Sequence, residues 1–96
     1  MQSANGQFSL TLQDDGNLVL YAGDEAVWAT GTDGQQAARM TMQADGNLVL
    51  YSSEGDAAWA SGTDGNAGAY VMLQDDRNLV VYGADGDPLW ASDTAA

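Results

Sequence analysis

Five side chains at alternate positions recur three times in this chain. They are Gln13, Asp15, Asn17, Val19 and Tyr21; then Gln43, Asp45, Asn47, Val49 and Tyr51; then Gln74, Asp76, Asn78, Val80 and Tyr82. Each amide both donates and accepts hydrogen bonds, the ionised carboxylate accepts, and the phenol does either. Bonds to the charged carboxylate are the stronger ones. Valine adds a small apolar surface on which a flat ring can lie. Such a set suits a neutral sugar, whose hydroxyls need paired donors and acceptors and whose C–H groups need an apolar floor. A hairpin that only had to face water would be served by Thr, Lys and Glu. It would not need one ordered set of five, repeated three times.

Composition excludes most other chemistry. The 96 residues contain no His and no Cys, and both cations are arginines, Arg39 and Arg77. No Ser-His-Asp or Cys-His nucleophile can be built, nor a Schiff-base lysine. A disulfide or zinc cluster is impossible. The adjacent acids Asp14-Asp15 and Asp75-Asp76 lack the spacing of a calcium loop, and turn chemistry accounts for them. Glycosidase machinery needs two acids on either side of a sugar, and nothing here positions a second one. The expectation is therefore no enzyme, no catalytic residue, no metal and no cofactor. Lys+Arg total 2 against 14 Asp+Glu, a formal charge of -12. That charge serves solubility and disfavours nucleic acid, anionic membranes and anionic glycans. No apolar run approaches the ~20 residues of a membrane span, so no membrane insertion is expected.

The elements that must position the polar sets follow from the repeat. Asp15-Gly16-Asn17-Leu18-Val19-Leu20-Tyr21 returns unchanged at Asp45–Tyr51 and, with Arg77 in place of glycine and Val81 in place of leucine, at Asp76–Tyr82. A Trp-Ala element follows each, at Trp28, Trp59 and Trp90. The spacing is 30 residues from Asp15 to Asp45 and 31 from Asp45 to Asp76. The repeats, approximately 5–34, 35–65 and 66–96, fill a single domain spanning 1–96. Period-2 alternation, as in Phe8-Ser9-Leu10-Thr11-Leu12-Gln13, predicts strands, and Asn-Leu-Val-Leu-Tyr is dense in strand formers. Each repeat reads as a hairpin plus a shorter tryptophan strand, an all-β domain of at least nine strands.

Register follows from parity. A two-residue turn at Asp15-Gly16 would pair Gln13 with Leu18 and mix the faces. A three-residue loop, Asp14-Asp15-Gly16, pairs Gln13 with Asn17 and Leu12 with Leu18, with Gly16 in the left-handed position. The buried face is then Leu10, Leu12, Leu18 and Leu20; Met40, Met42, Leu48 and Leu50; Val71, Leu73, Leu79 and Val81. The polar sets share the other face. Arg77 in the glycine position costs about 1 kcal/mol. The three tryptophans sit in apolar strands and read as core near the axis rather than as sugar platforms.

The pattern Gln-x-Asp-x-Asn-x-Val-x-Tyr resembles the mannose-binding signature of bulb-type (monocot) lectins, and the similarity runs from about Asn5 to Thr94. The resemblance implies a β-prism II fold: three four-stranded antiparallel sheets with pseudo-threefold symmetry and one mannose site per sheet. It further implies that Asp and Asn hold the axial 2-hydroxyl, Gln the 3-hydroxyl and Tyr the 4-hydroxyl, with Val against the ring carbons. Glucose, lacking the axial 2-hydroxyl, should bind worse. The expected partners are mannose and mannose-containing glycans, bound weakly at each site and usefully by multivalency. The chain departs from the plant pattern in having no Cys and no extra N-terminal strand segment. Site 1 is neighboured by Ser9 and Thr11, site 2 by Arg39, and site 3 by Tyr70 and Met72.

Closing the threefold prism is expected to need Trp90-Ala91-Ser92 to reach the first sheet, in its own chain or in a homodimer by C-terminal strand exchange. Residues 1–5 lack the basic and apolar regions of a signal peptide, which suits a cytoplasmic protein or one secreted after processing. Two other readings stand beside the lectin: a structural or interaction scaffold indifferent to sugars, and a fragment of a larger lectin-like bacteriocin.

Overall fold

The computed structural model describes residues 1–95 and is all-β, with no helix among them. Nine strands run in chain order: β1 Phe8–Leu12, β2 Leu18–Ala22, β3 Glu25–Ala29, β4 Ala37–Met42, β5 Leu48–Ser52, β6 Ala57–Ala60, β7 Tyr70–Leu73, β8 Leu79–Tyr82 and β9 Pro88–Ala91. They form three antiparallel three-stranded sheets, each made of consecutive strands with the second in the middle. Each sheet is one sequence repeat.

The parity argument holds in the coordinates. Leu12 lies opposite Leu18, Met42 opposite Leu48 and Leu73 opposite Leu79. The Gln13 N–H donates to the Asn17 carbonyl at 2.9 Å, and the Gly16 N–H to the Gln13 carbonyl at 2.9 Å, closing the three-residue loop. Burial follows position in the sheet. The middle strands supply Leu18, Leu20, Leu48, Leu50, Leu79 and Val81, all at or below 2 % exposure. On the flanking strands Leu10 and Leu73 are buried, whereas Leu12, Met40, Met42 and Val71 are only half-buried. An edge strand is covered on one side only, so its inward residues keep part of their surface.

The tryptophans meet at the pseudo-threefold axis. Their ring centroids are 5.8, 5.6 and 5.2 Å apart with interplanar angles of 75°, 66° and 71°. Edge-to-face packing sets the positive rim of one ring on the negative face of the next. Three rings around a threefold axis can do this cyclically.

Gly16 and Gly46 have φ of 90° and 94°. A Cβ on Gly16 would stand 3.0 Å from the Ala37 nitrogen, and on Gly46 2.2 Å from the Asn66 carbonyl oxygen. In both cases the obstacle is the start of the next repeat. In repeat 3 the same position is held by Arg77, half-buried and at φ 77°. Its Nε donates to the Thr94 carbonyl at 2.8 Å.

Two expectations are corrected. The sheets have three strands, not four. Alongside β1, Met1–Ser3 makes only one bridge, Gln2 opposite Ser9. The Leu10 N–H bonds the Met1 carbonyl at 2.8 Å and the Ser3 N–H the Phe8 carbonyl at 3.0 Å, a contact too short to be a strand. The Trp90 strand, β9, does not cross to the first sheet. It pairs with β8 of its own repeat, Val81 opposite Trp90. The prism closes through side chains at the axis, so strand hydrogen bonds need not pass from one sheet to the next. Among the described residues no helix is long and apolar enough to cross a membrane.

Candidate functional site

Each site begins at a hairpin turn and ends four residues along the middle strand. At the turn, Asp15 Oδ1 accepts the Asn17 N–H at 2.9 Å; Asp45 and Asp76 do the same for Asn47 and Asn78 at 3.0 Å. This Asx turn is why Asp precedes the strand by three residues. It occupies one carboxylate oxygen and leaves the other toward solvent, since all three aspartates are exposed.

The asparagine is held more firmly than its sequence position suggests. Asn17 Oδ1 accepts the Gly31 N–H at 3.0 Å, the Thr32 N–H at 3.3 Å and the Thr30 hydroxyl at 3.4 Å. Asn47 Oδ1 likewise accepts from Gly62, Thr63 and Ser61, and Asn78 Oδ1 from Thr94 and Ser92. Backbone donors fix the amide orientation, so Nδ2 is the atom left to donate outward. A second hydroxyl locks this clamp: Thr32 Oγ1, 2 % exposed, donates to the Gly16 carbonyl at 2.6 Å. Sequence reasoning passed over these hydroxyl residues. Their signal was present, a Ser/Thr two residues after each tryptophan and another two further on: Thr30 and Thr32, Ser61 and Thr63, Ser92 and Thr94.

Along the strand, Gln13 Nε2 donates to the Tyr21 hydroxyl, Gln43 to Tyr51 and Gln74 to Tyr82. Because the phenol oxygen accepts from the amide, its own proton is free for a ligand, and the Gln carbonyl is free to accept. Glutamines, asparagines and tyrosines are all half-buried. Val19, Val49 and Val80 lie on the same face but are only 2–3 % exposed. They offer a ligand little surface, less than an open apolar patch would. Each cluster thus presents a carboxylate oxygen, an amide N–H₂, an amide carbonyl and a phenolic O–H within one shallow strip. Beside site 3, a groove of about 580 Å³ between Met1–Ala4 and β7 shares Gln74 and Asp76 with it.

The chain matches no family model and no curated protein. Solved structures do match it. A monomeric monocot mannose-binding lectin from Gastrodia elata is 46% identical with a TM-score of 0.86, over 97% of this chain and 86% of that one. The snowdrop (Galanthus nivalis) mannose-specific agglutinin, solved with methyl α-D-mannoside, is 44% identical with a TM-score of 0.75, over 95% and 83%. A lectin from Mycobacterium smegmatis, a domain-swapped dimer, is 56% identical with a TM-score of 0.55, over 95% and 84%. The fold matches these structures along nearly the whole chain, at 44–56% identity, and the chain belongs to the bulb-type (monocot) mannose-binding lectin family, with the β-prism II architecture.

Proposed function

We propose that the protein is a lectin without catalytic activity that binds terminal α-mannose at three sites: Gln13, Asp15, Asn17, Val19 and Tyr21; Gln43, Asp45, Asn47, Val49 and Tyr51; and Gln74, Asp76, Asn78, Val80 and Tyr82. One observation carries the reading: in all three sheets the Asp–Asn turn, the Gln–Tyr bridge and the donors to the Asn oxygen leave the same groups free. The Asn amide donates, the second Asp oxygen and the Gln carbonyl accept, and the Tyr hydroxyl donates. The mannose-binding relatives from Gastrodia and snowdrop support it. Each site is a shallow strip that meets one ring, so a millimolar constant, worth about 4 kcal/mol, is expected. Branched glycans that engage several sites gain by avidity.

The test is an NMR titration of ¹⁵N-labelled protein with methyl α-mannoside and methyl α-glucoside, with and without EDTA. The expected result is saturable shifts around Leu18, Leu48 and Leu79 with mannoside, weaker ones with glucoside, and no effect of chelation. A chelation-sensitive response, or none with mannoside, refutes the reading.

The assembly we propose is a homodimer by exchange of the C-terminal β9 strand. In its support, the Mycobacterium relative is a domain-swapped dimer, and its TM-score is the lowest of the three despite the highest identity. A change of chain path produces such a mismatch. β9 lies at the edge of its sheet with β8 as its one strand neighbour, and exchange between two copies remakes in the partner the bonds and tryptophan contacts it gives up. Light scattering decides: a 20 kDa particle, twice the 10.0 kDa chain, is expected. A 10 kDa particle, or a dimer that survives truncation before β9, overturns strand exchange.

A further inference from the structure

The three sites share their five residues but not their neighbours. Opposite the site tyrosine in the sheet register stand Ser9 at site 1, Arg39 at site 2 and Tyr70 at site 3. Tyr70 stacks on Tyr82, centroids 5.5 Å apart. The Arg39 guanidinium carbon lies 4.8 Å from the Tyr51 ring centroid, inside the range where a π face attracts a cation. A register shift between Ala37 and Arg39 immediately precedes this contact, and the β1–β2 and β7–β8 pairings have none. Bulges of this kind re-aim a side chain.

The chain has only two cations among 14 carboxylates. Arg77 is committed to the Thr94 carbonyl. Arg39 is exposed, and no ion pair joins it to a carboxylate among the described residues. Site 2 is therefore polarised. Asp45 marks the turn end, and a guanidinium ordered by Tyr51 marks the other.

We infer that site 2 selects mannosides bearing an anionic substituent, a phosphate monoester on the exocyclic carbon being the simplest, and that Arg39 is the residue that selects them. The inference rests on the sugar-binding reading above. Asp45 repels an anion from the turn end, and Arg39 draws it to the tyrosine end. The planar, forked donors of a guanidinium match phosphate oxygens, and contact with the ring reduces the freedom the side chain must lose. The net charge of -12 opposes any anion. That repulsion acts at all three sites, whereas the attraction acts at one. The selection is thus a preference among sites, of the size an exposed charge pair supplies, about 1.5- to 5-fold.

The full chain is titrated by NMR with mannose, mannose 6-phosphate and inorganic phosphate, at low and high salt. Leu18, Leu48 and Leu79 amides report the three sites. The ratio of affinities, mannose 6-phosphate over mannose, should be about 1.5- to 5-fold higher at site 2 than at site 1. It should fall to the site 1 value in Arg39→Ser, which installs the site 1 residue, and shrink at high salt. Arg39→Lys should keep part of it. Equal ratios at sites 1 and 2, or a ratio unmoved by Arg39→Ser, overturn the inference alone. So does inorganic phosphate that shifts site 2 as strongly as the sugar phosphate. Failure of mannose itself at every site overturns both this inference and the lectin reading.

Discussion

Replacing Asn47 by Ala separates what the site does for a ligand from what it does for the fold. The substitution removes an acceptor shared by three donors: the Gly62 N–H at 3.0 Å, the Thr63 N–H at 3.2 Å and the Ser61 hydroxyl at 3.2 Å. Gly62 is exposed, so water replaces its bond. The other two are partly buried and lose about 0.5–1.5 kcal/mol each. Ser61 also accepts the Leu48 N–H at 3.1 Å, and Thr63 donates to the Gly46 carbonyl, so loosening one hydroxyl disturbs its neighbour. The expected loss is about 1.5–3 kcal/mol, or roughly 8–20 °C in Tm for a domain of this size. Asp45→Ala is the control. Its one bond, to the Asn47 N–H at 3.0 Å, is exposed, so the loss stays under about 1 kcal/mol while mannose binding at site 2 disappears. Thermal unfolding followed by tryptophan fluorescence gives the stabilities, and NMR titration gives the binding. An Asn47→Ala protein melting within about 3 °C of the parent, or an Asp45→Ala protein destabilised as much, would refute the clamp.

Other perturbations test the frame. Trp59→Ala removes edge contacts to both other tryptophans and should cost about 3–5 kcal/mol in urea unfolding; a variant that folds normally but loses sugar would move Trp59 from core to binding surface. Gly46→Ala places a Cβ 2.2 Å from the Asn66 carbonyl oxygen, whereas Gly55→Ala, at φ 92°, meets nothing within 4 Å. The first should lose more than about 3 kcal/mol and the second about 1 kcal/mol of backbone strain; equal losses would show that φ, not the neighbouring repeat, holds glycine at position 46.

How much was legible in the sequence depended on the range of the interaction. Strand periodicity, the three-residue hairpin loops and the register of Leu12 on Leu18 are local: they follow from side-chain alternation and from the few conformations a short loop can adopt. Threefold recurrence extended that reading to the whole chain and put Gln, Asp, Asn, Val and Tyr on one face. Three things were decided only by tertiary contact. Val19, Val49 and Val80 are buried although they share a face with the polar sets, which alternation cannot reveal. The asparagine clamp joins residues 13 to 16 positions apart, beyond any local pattern. The three tryptophan rings pack edge to face around one axis, a geometry that exists only when all three repeats are present. Arg77 shows the same division: its type was visible as a departure from glycine, but its bond to the Thr94 carbonyl, 17 positions along the chain, was not.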